Sequence, residues 1–398
     1  MQCLLDGPGV DRPRSTVGGS CLRCGRIQGI PRFSTGPPMG TQLQSSPRKK
    51  ALVAGGLGVA GRAVVEHLLA LGDWDVVALS RRQPDFETAA RYVSVDLLDR
   101  QAVDSFCRDS CRDVTHVFFT ALQSRGTVFD EVAPNLAMLQ NTVEAVELTS
   151  DGFRKVVLIE GAKWYGAHLG PYKTPAQEDD PRHMPPNFYY DQQDYLVARS
   201  AGKAWSWSAL RPSCICGFAT GNPMNMATVI AVYATLCREL RLPFRYPGSS
   251  RAYGMLMEMT DAELLAKAMV WAAENDQCDG EAFNITNGDF QRWEHLWPRL
   301  AEFFGLPYAP PQRFPLAQFM SDKGPVWDRI VAEQGLRNCS FQDAAAWPFG
   351  EAIFNIEYDV MSSLTKARQY GFQEVVDTEE MLKRLFLEFQ QRGFVPAF

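Results

Sequence analysis

Short apolar runs at residues 51–54, 76–79, 92–95, 117–120 and 156–159 recur along the first half of the chain, with helix-length segments between most of them. Consecutive positions in each run are apolar, so a strand made from one buries both of its faces. Such strands belong to parallel sheets covered by helices on either side. The alternation predicts an α/β fold with a doubly wound, Rossmann-type parallel sheet. After Arg211 it gives way to longer helical stretches, such as 261–274 and 379–391, with Trp and Phe clusters between them. These predict a smaller, mostly helical C-terminal substrate lobe. The expected division is a sheet core over 49–215 and a lobe over 216–398, with some strands of the latter returning to the core.

Residues 1–48 are rich in Gly, Pro, Ser and Arg and poor in apolar side chains, which predicts a flexible extension. Met39 lies just before the folded part, so what precedes it reads as a targeting segment, an appended scar or a misplaced start. Cys21 and Cys24 make a CxxC, but no second pair follows at zinc-finger spacing and tetrahedral zinc wants four ligands, so no metal site is expected. The net charge of −6 comes with no basic run, which argues against nucleic acid and anionic membrane surfaces as partners. No apolar stretch approaches the roughly 20 residues of a membrane-spanning helix. The longest candidate, 226–237, is interrupted by Thr and suits a buried helix. Ten cysteines scattered through 398 residues favour a reducing compartment, the cytoplasm by default. The assembly is left open to a homodimer.

The first apolar run leads into GGLGVAG, placing Gly55, Gly58 and Gly61 ahead of a helix expected over 62–71. Glycines there permit a tight turn, a close backbone approach to a pyrophosphate and close helix–strand packing, while the helix N-terminus supplies N–H donors. The spacing is GxxGxxG, which differs from GxGxxG. The second run ends in Ser80, Arg81 and Arg82, where an NAD site would usually carry a carboxylate for the ribose hydroxyls. Two guanidinium groups suit a 2′-phosphate, so NADP(H) is the expected cofactor. Asp96 and Leu97 follow the third run and are placed beside the adenine; Thr120 and Ala121 follow the fourth and are placed along the cofactor.

The Tyr/Lys pair, four residues apart on one helix, that short-chain dehydrogenases usually carry is missing. Four residues after Tyr189 stands Gln193, after Tyr190 Asp194 and after Tyr195 Arg199. A lysine can come from elsewhere: Lys163 lies just past the run 156–159, at the end of the sheet where ligands collect. The blocks GAKWYGAHLGPY, EDDPR, PNFYYDQQDY, LRPSCICGF, RYPG, TDAEL, EAFNITNGD and WPFGEAIFN, in this order, resemble the progesterone 5β-reductase and iridoid synthase-like (PRISE) group of atypical short-chain dehydrogenases, over about residues 50–398. The resemblance implies that Lys163 and Tyr189 are catalytic, with Tyr190 the rival tyrosine, and that Pro212, Ser213, Cys214 and Ile215 run along the nicotinamide. It further implies 1,4-reduction of an enone or enal by NADPH, with Tyr189 donating to the developing enolate oxygen. Lys163 would strengthen that acid and hold the nicotinamide ribose.

Departures from the family are Trp164 where plant members usually have His, a shorter segment from Lys163 to Tyr189, and Gln192 and Gln193 in place of more acidic residues. They bear on substrate more than on reaction type. Trp164, Phe218, Met224, Met226, Tyr253 and Met255 line an apolar pocket or fill ordinary core. Cys214 and Cys216 have no neighbouring cation to make a nucleophile of either. His67, His116, His168, His183 and His295 are dispersed and read as structural or exposed. The alternatives are a carbonyl reductase or nucleotide-sugar epimerase on the same scaffold, or a non-catalytic NADP(H) sensor.

Overall fold

Strand β1 (Lys49–Ala54) sends alternate side chains to two different layers. Ala51 and Val53 pack with Val64, Val65 and Leu68 of helix α1 (Val59–Leu71), while Leu52 and Ala54 face the other side. There they meet the layer formed by Val103 and Phe106 of α2 (Arg100–Ser110) and Leu139 and Val143 of α3 (Val128–Thr149). This two-sided burial is what the uninterrupted apolar runs require. The computed structural model describes residues 48–221, 224–337 and 339–398. Apart from Arg48, the expected flexible extension, with Met39 and the Cys21 and Cys24 pair, lies outside the described residues.

The other strands follow as β2 (Trp74–Ser80), β3 (Arg91–Ser94), β4 (His116–Phe119), β5 (Lys155–Ile159) and β6 (Ser206–Pro212), with helix α4 (Phe188–Ser200) leading into β6. Together with a seventh strand, Glu281–Ile285, they form one sheet in the order Glu281–Ile285, β6, β5, β4, β1, β2, β3, every neighbour parallel. The chain builds outward from β1 to β3, then returns to the other side of β1. The order therefore reverses between β1 and β4, which opens a crevice at the carboxyl ends of those strands.

The helix Ala262–Glu274, which sequence assigns to the substrate lobe, is a correction: it lies against α1 and the sheet. A short ribbon brings the chain back, Met259–Asp261 pairing with Cys214–Cys216, and the buried face Leu264, Leu265, Ala268 and Met269 then shares a cluster with Ala51 and Val53. The C-terminal layer gathers around α5 (Met226–Glu239), in which Met226 through Cys237 are all buried, as expected for 226–237. Aromatic rings fill that layer, with Phe244 and Trp297 stacked at 4.4 Å. Among the described residues no helix is long and apolar enough to cross a membrane.

Gly61 sets how closely α1 can approach β1. A Cβ there would lie 2.2 Å from the Gly55 carbonyl oxygen and 2.6 Å from Thr120 Oγ1. Gly61→Ala must therefore push the helix from the strand, at an expected cost of about 1–3 kcal/mol. Gly126→Ala, where nothing lies within 4 Å of the added carbon, should stay within about 0.5 kcal/mol of wild type. Urea denaturation of the two variants measures the contrast; equal midpoints would remove Gly61 as the packing constraint.

Candidate active site

A cavity of about 980 Å³ occupies the crevice. At one end Gly55 turns the chain with φ +88°, a value that suits glycine, and the N–H groups of Gly55 and Gly56 both donate to Leu79 O at 3.0 Å. Gly58 caps α1 without a side-chain hydrogen bond, and the first helical turn holds no acidic residue. Its free N–H groups and the positive end of the helix dipole suit a pyrophosphate. Gly56 was not among the glycines the spacing singled out. A Cβ there would meet Ala78 Cβ at 2.7 Å, and its carbonyl accepts from the Tyr92 hydroxyl at 3.0 Å; the Gly–Gly doublet was the available signal.

Ser80 at the end of β2 and Arg81 and Arg82 after it line the cavity, with both arginines exposed. Arg82 donates from Nη2 to the Thr220 carbonyl at 3.0 Å, and its backbone N–H donates to Ser80 Oγ at 3.3 Å. Asp96 and Leu97 also line the cavity, Asp96 accepting from the Leu98 N–H at 3.0 Å. Thr120 lines it too, but its hydroxyl is engaged: it donates to Ala54 O at 2.7 Å and ties β4 to β1. Pro212, Ser213, Cys214 and Ile215 lie along another wall. A hydrogen bond with Cys214, then burial, pushes the Cys216 thiol well up, consistent with an inert side chain.

Lys163 sits on a single 3-10 turn, Ala162–Tyr165, and Tyr189 at the start of α4; both line the cavity. Asn187 joins them. Its Oδ1 accepts from the Tyr189 N–H at 3.1 Å while its Nδ2 donates to Lys163 O at 2.8 Å, so one buried amide caps α4 and fixes the lysine's turn. Sequence reasoning passed over Asn187, although an Asn just before a helix is a cap signal. The two tyrosines separate cleanly. The Tyr190 hydroxyl donates to Trp164 O at 2.6 Å and accepts from the His183 N–H at 2.9 Å, within an aromatic cluster behind the wall. Among the described residues the Tyr189 hydroxyl has no hydrogen-bond partner.

Burial, then the charges of Glu160 and Glu131, push the Tyr189 phenol above its ordinary range. Lys163, expected to strengthen this acid, is not among the charges that shift it. Glu160 itself forms a buried ion pair with Arg211 at 2.7 Å. Arg211 also donates to the Tyr165 hydroxyl, Glu178 O and Gln193 Oε1, and lies 3.7 Å over the Trp164 ring. Trp164 and Gln193, two of the departures from the family pattern, thus serve this arginine.

Of the expected apolar liners, Met224 and Met255 face the cavity, whereas Trp164, Phe218, Met226 and Tyr253 fill core. Leu256, Met257, Trp293, Phe349, Ile353 and Tyr358 line it instead. The last of these arrive through a C-terminal segment fastened across the opening: the Val360 N–H donates to Leu256 O at 2.9 Å and the Tyr358 hydroxyl to Ala167 O at 2.7 Å. His168, read from sequence as structural or exposed, is an exposed part of the cavity's lining.

Residues 51–396 match the PRISE-like Rossmann-fold domain. An (S)-8-oxocitronellyl enol synthase of Nepeta racemosa is 34% identical over 339 residues, covering 81% of this chain and 85% of that protein. The 3-oxo-Delta(4,5)-steroid 5-beta-reductase of Arabidopsis thaliana is 32% identical over 345 residues, covering 81% of this chain and 87% of that protein. Among solved structures, Thermus thermophilus UDP-glucose 4-epimerase in complex with NAD superposes with a TM-score of 0.61 at 21% identity, over 86% of this chain and 99% of that one, a likeness of fold. The matched domain spans nearly the whole described chain, and both the sequence relatives and the site's blocks agree with it: the chain belongs to the PRISE-like Rossmann-fold family, an oxidoreductase lineage of atypical short-chain dehydrogenases/reductases.

Proposed function

We propose that this oxidoreductase reduces the C=C bond of an enone or enal with NADPH. The observation that carries the reading is Tyr189, a neutral phenol whose hydroxyl has no protein partner among the described residues and which lines a cavity with a largely apolar substrate side. When bound, the dinucleotide supplies a hydride to the substrate's β-carbon. Negative charge then builds on the carbonyl oxygen, a positioned donor stabilises it, and a proton from solvent at the α-carbon completes the saturated product. Tyr189 is that donor, and because burial keeps it protonated it acts by hydrogen bonding. Lys163 holds the nicotinamide ribose and contributes a positive charge to the same wall. Arg81 and Arg82 favour NADPH over NADH through the 2′-phosphate.

Other readings fit less well. A nucleotide-sugar epimerase must hold a second diphosphate, yet the cations lining the cavity among the described residues are Arg81 and Arg82 at the cofactor end and Lys163 beside Tyr189. A sensor has no use for a tyrosine and a lysine fixed by one shared amide. The relatives named for an enol synthase and a steroid 5-beta-reductase support an enone or enal. The proposed division of labour gives residues 49–215 to the cofactor and 216–398 mainly to the substrate, with Ala262–Glu274 and Glu281–Ile285 returned to the core. A cytoplasmic setting goes with it, in keeping with the neighbouring free thiols of Cys107 on α2 and Cys111 at its C-terminal cap.

NADPH oxidation followed with a panel from small enals to steroid enones tests the reading. Tyr189→Phe should lower kcat about 100- to 1,000-fold with NADPH still bound, whereas Tyr190→Phe should cost about 1–3 kcal/mol of stability and leave kcat of the folded enzyme within a few-fold. The reverse pattern would make Tyr190 the donor. Arg82→Ala should weaken NADPH at least about 10-fold while leaving NADH nearly unchanged; equal losses for both would remove the 2′-phosphate role. Since the Tyr189 phenol is raised from its ordinary value of about 10, kcat/KM should show no alkaline decline from it between about pH 6 and 9. A decline in that window that vanishes in Tyr189→Phe would show a lowered phenol instead.

A further inference from the structure

Gly161 lies between β5 and the Lys163 turn, in the cavity wall, and its backbone gives no reason for glycine. With φ 174° and ψ −179° it is extended, a conformation open to any residue. The reason lies in what a side chain would meet. A Cβ built there would stand 3.3 Å from the Tyr189 hydroxyl oxygen, 3.5 Å from the Pro212 carbonyl oxygen and 3.8 Å from Tyr189 Cε2. A side chain there would crowd both the unpartnered phenol and the start of the wall Pro212–Ile215.

We propose that Gly161 is a specificity-determining position that keeps open the slot through which the substrate's carbonyl oxygen reaches the Tyr189 hydroxyl. The inference rests on the enone-reductase reading for the identity of the substrate, and on the distances alone for the slot. A hydrogen bond from a hydroxyl to an oxygen needs about 2.7–2.8 Å between them. A methyl group held 3.3 Å from the same hydroxyl occupies part of the approach and competes with the incoming oxygen. The hydroxyl's only escape is to shift by a few tenths of an ångström, which misplaces the donor. In either case the loss falls on the reacting geometry and spares the glycine-rich turn that binds the other end of the cofactor.

A double-mutant cycle separates this from a packing effect, because Tyr189→Phe removes the atom with which the new methyl collides. Wild type, Gly161→Ala, Tyr189→Phe and the double variant are compared for NADPH affinity, thermal midpoint and kcat/KM on an enone that wild type turns over. The slot predicts that Gly161→Ala loses about 100-fold in kcat/KM and keeps NADPH affinity within about 2-fold. In the Tyr189→Phe background the same change should cost less than about 3-fold. Equal losses in the two backgrounds, or a Gly161→Ala variant within about 3-fold of wild type, would overturn the slot. If wild type reduces simple ketones and leaves C=C bonds untouched, the enone reading fails, and the cycle run on the ketone still decides the slot by the same criterion. Absence of turnover with every carbonyl compound overturns both.

Discussion

Arg211 and Glu160 form an ion pair with almost no access to solvent, and the reactive wall is assembled around it. Burying two charges is costly, and the arrangement holds because each guanidinium nitrogen finds an acceptor and the flat face of the group rests on Trp164. The acceptors come from Glu160 just past β5, the turn at Tyr165, the loop at Glu178 and α4. One arginine on β6 thereby fixes the four pieces of chain that must agree for Lys163 and Tyr189 to face the same space. Removing either partner would strand a buried charge, at a typical cost of about 3–5 kcal/mol. The charge of the same carboxylate adds to burial in keeping the Tyr189 phenol protonated. Structural anchoring and chemical tuning are therefore the work of one pair.

The remainder of the site follows from sheet topology. Because the strand order reverses between β1 and β4, the loops leaving their carboxyl ends diverge and leave a crevice that α1 enters with its N-terminus. The depth of that entry depends on Gly61, and the shape of the turn on Gly55. The other end of the cavity is lined by chain that arrives much later. The segment around Phe349 to Val360 is hydrogen-bonded to Leu256 on one edge and to Ala167 on the other, so the cavity is completed only when the C-terminal lobe has docked. On the proposed reading, cofactor recognition is local in sequence and substrate recognition is not.

That difference explains what could be read beforehand. The parallel sheet, the glycine-rich turn and the basic rim at Arg81 and Arg82 are each written within a few residues, where apolar runs, Gly spacing and charge carry their own physical meaning. Lys163 and Tyr189 came from block resemblance, since no spacing rule joins a lysine on a turn to a tyrosine on a helix; the link is Asn187, a cap bonding to both. The helix Ala262–Glu274 was misassigned because the ribbon that returns the chain to the sheet is a three-residue strand, Met259–Asp261, too short to show as an apolar run. Trp164 and Phe218 look like pocket residues by type, and only packing shows that they back the wall. The direction of the Tyr189 shift was also hidden, because it depends on burial and on Glu160, which is remote from Tyr189 in sequence but adjacent in space.

The proposed role of Tyr189 is to direct hydride addition to the far end of a conjugated carbonyl. The most direct test is to supply NADPH deuterated at the transferable position of the nicotinamide and locate the label in the product by NMR. Deuterium is expected on the β-carbon of a saturated carbonyl product, with formation of that product sharply reduced when Tyr189 is replaced by Phe. Deuterium on the carbinol carbon of an allylic alcohol, with the C=C bond intact, would contradict it.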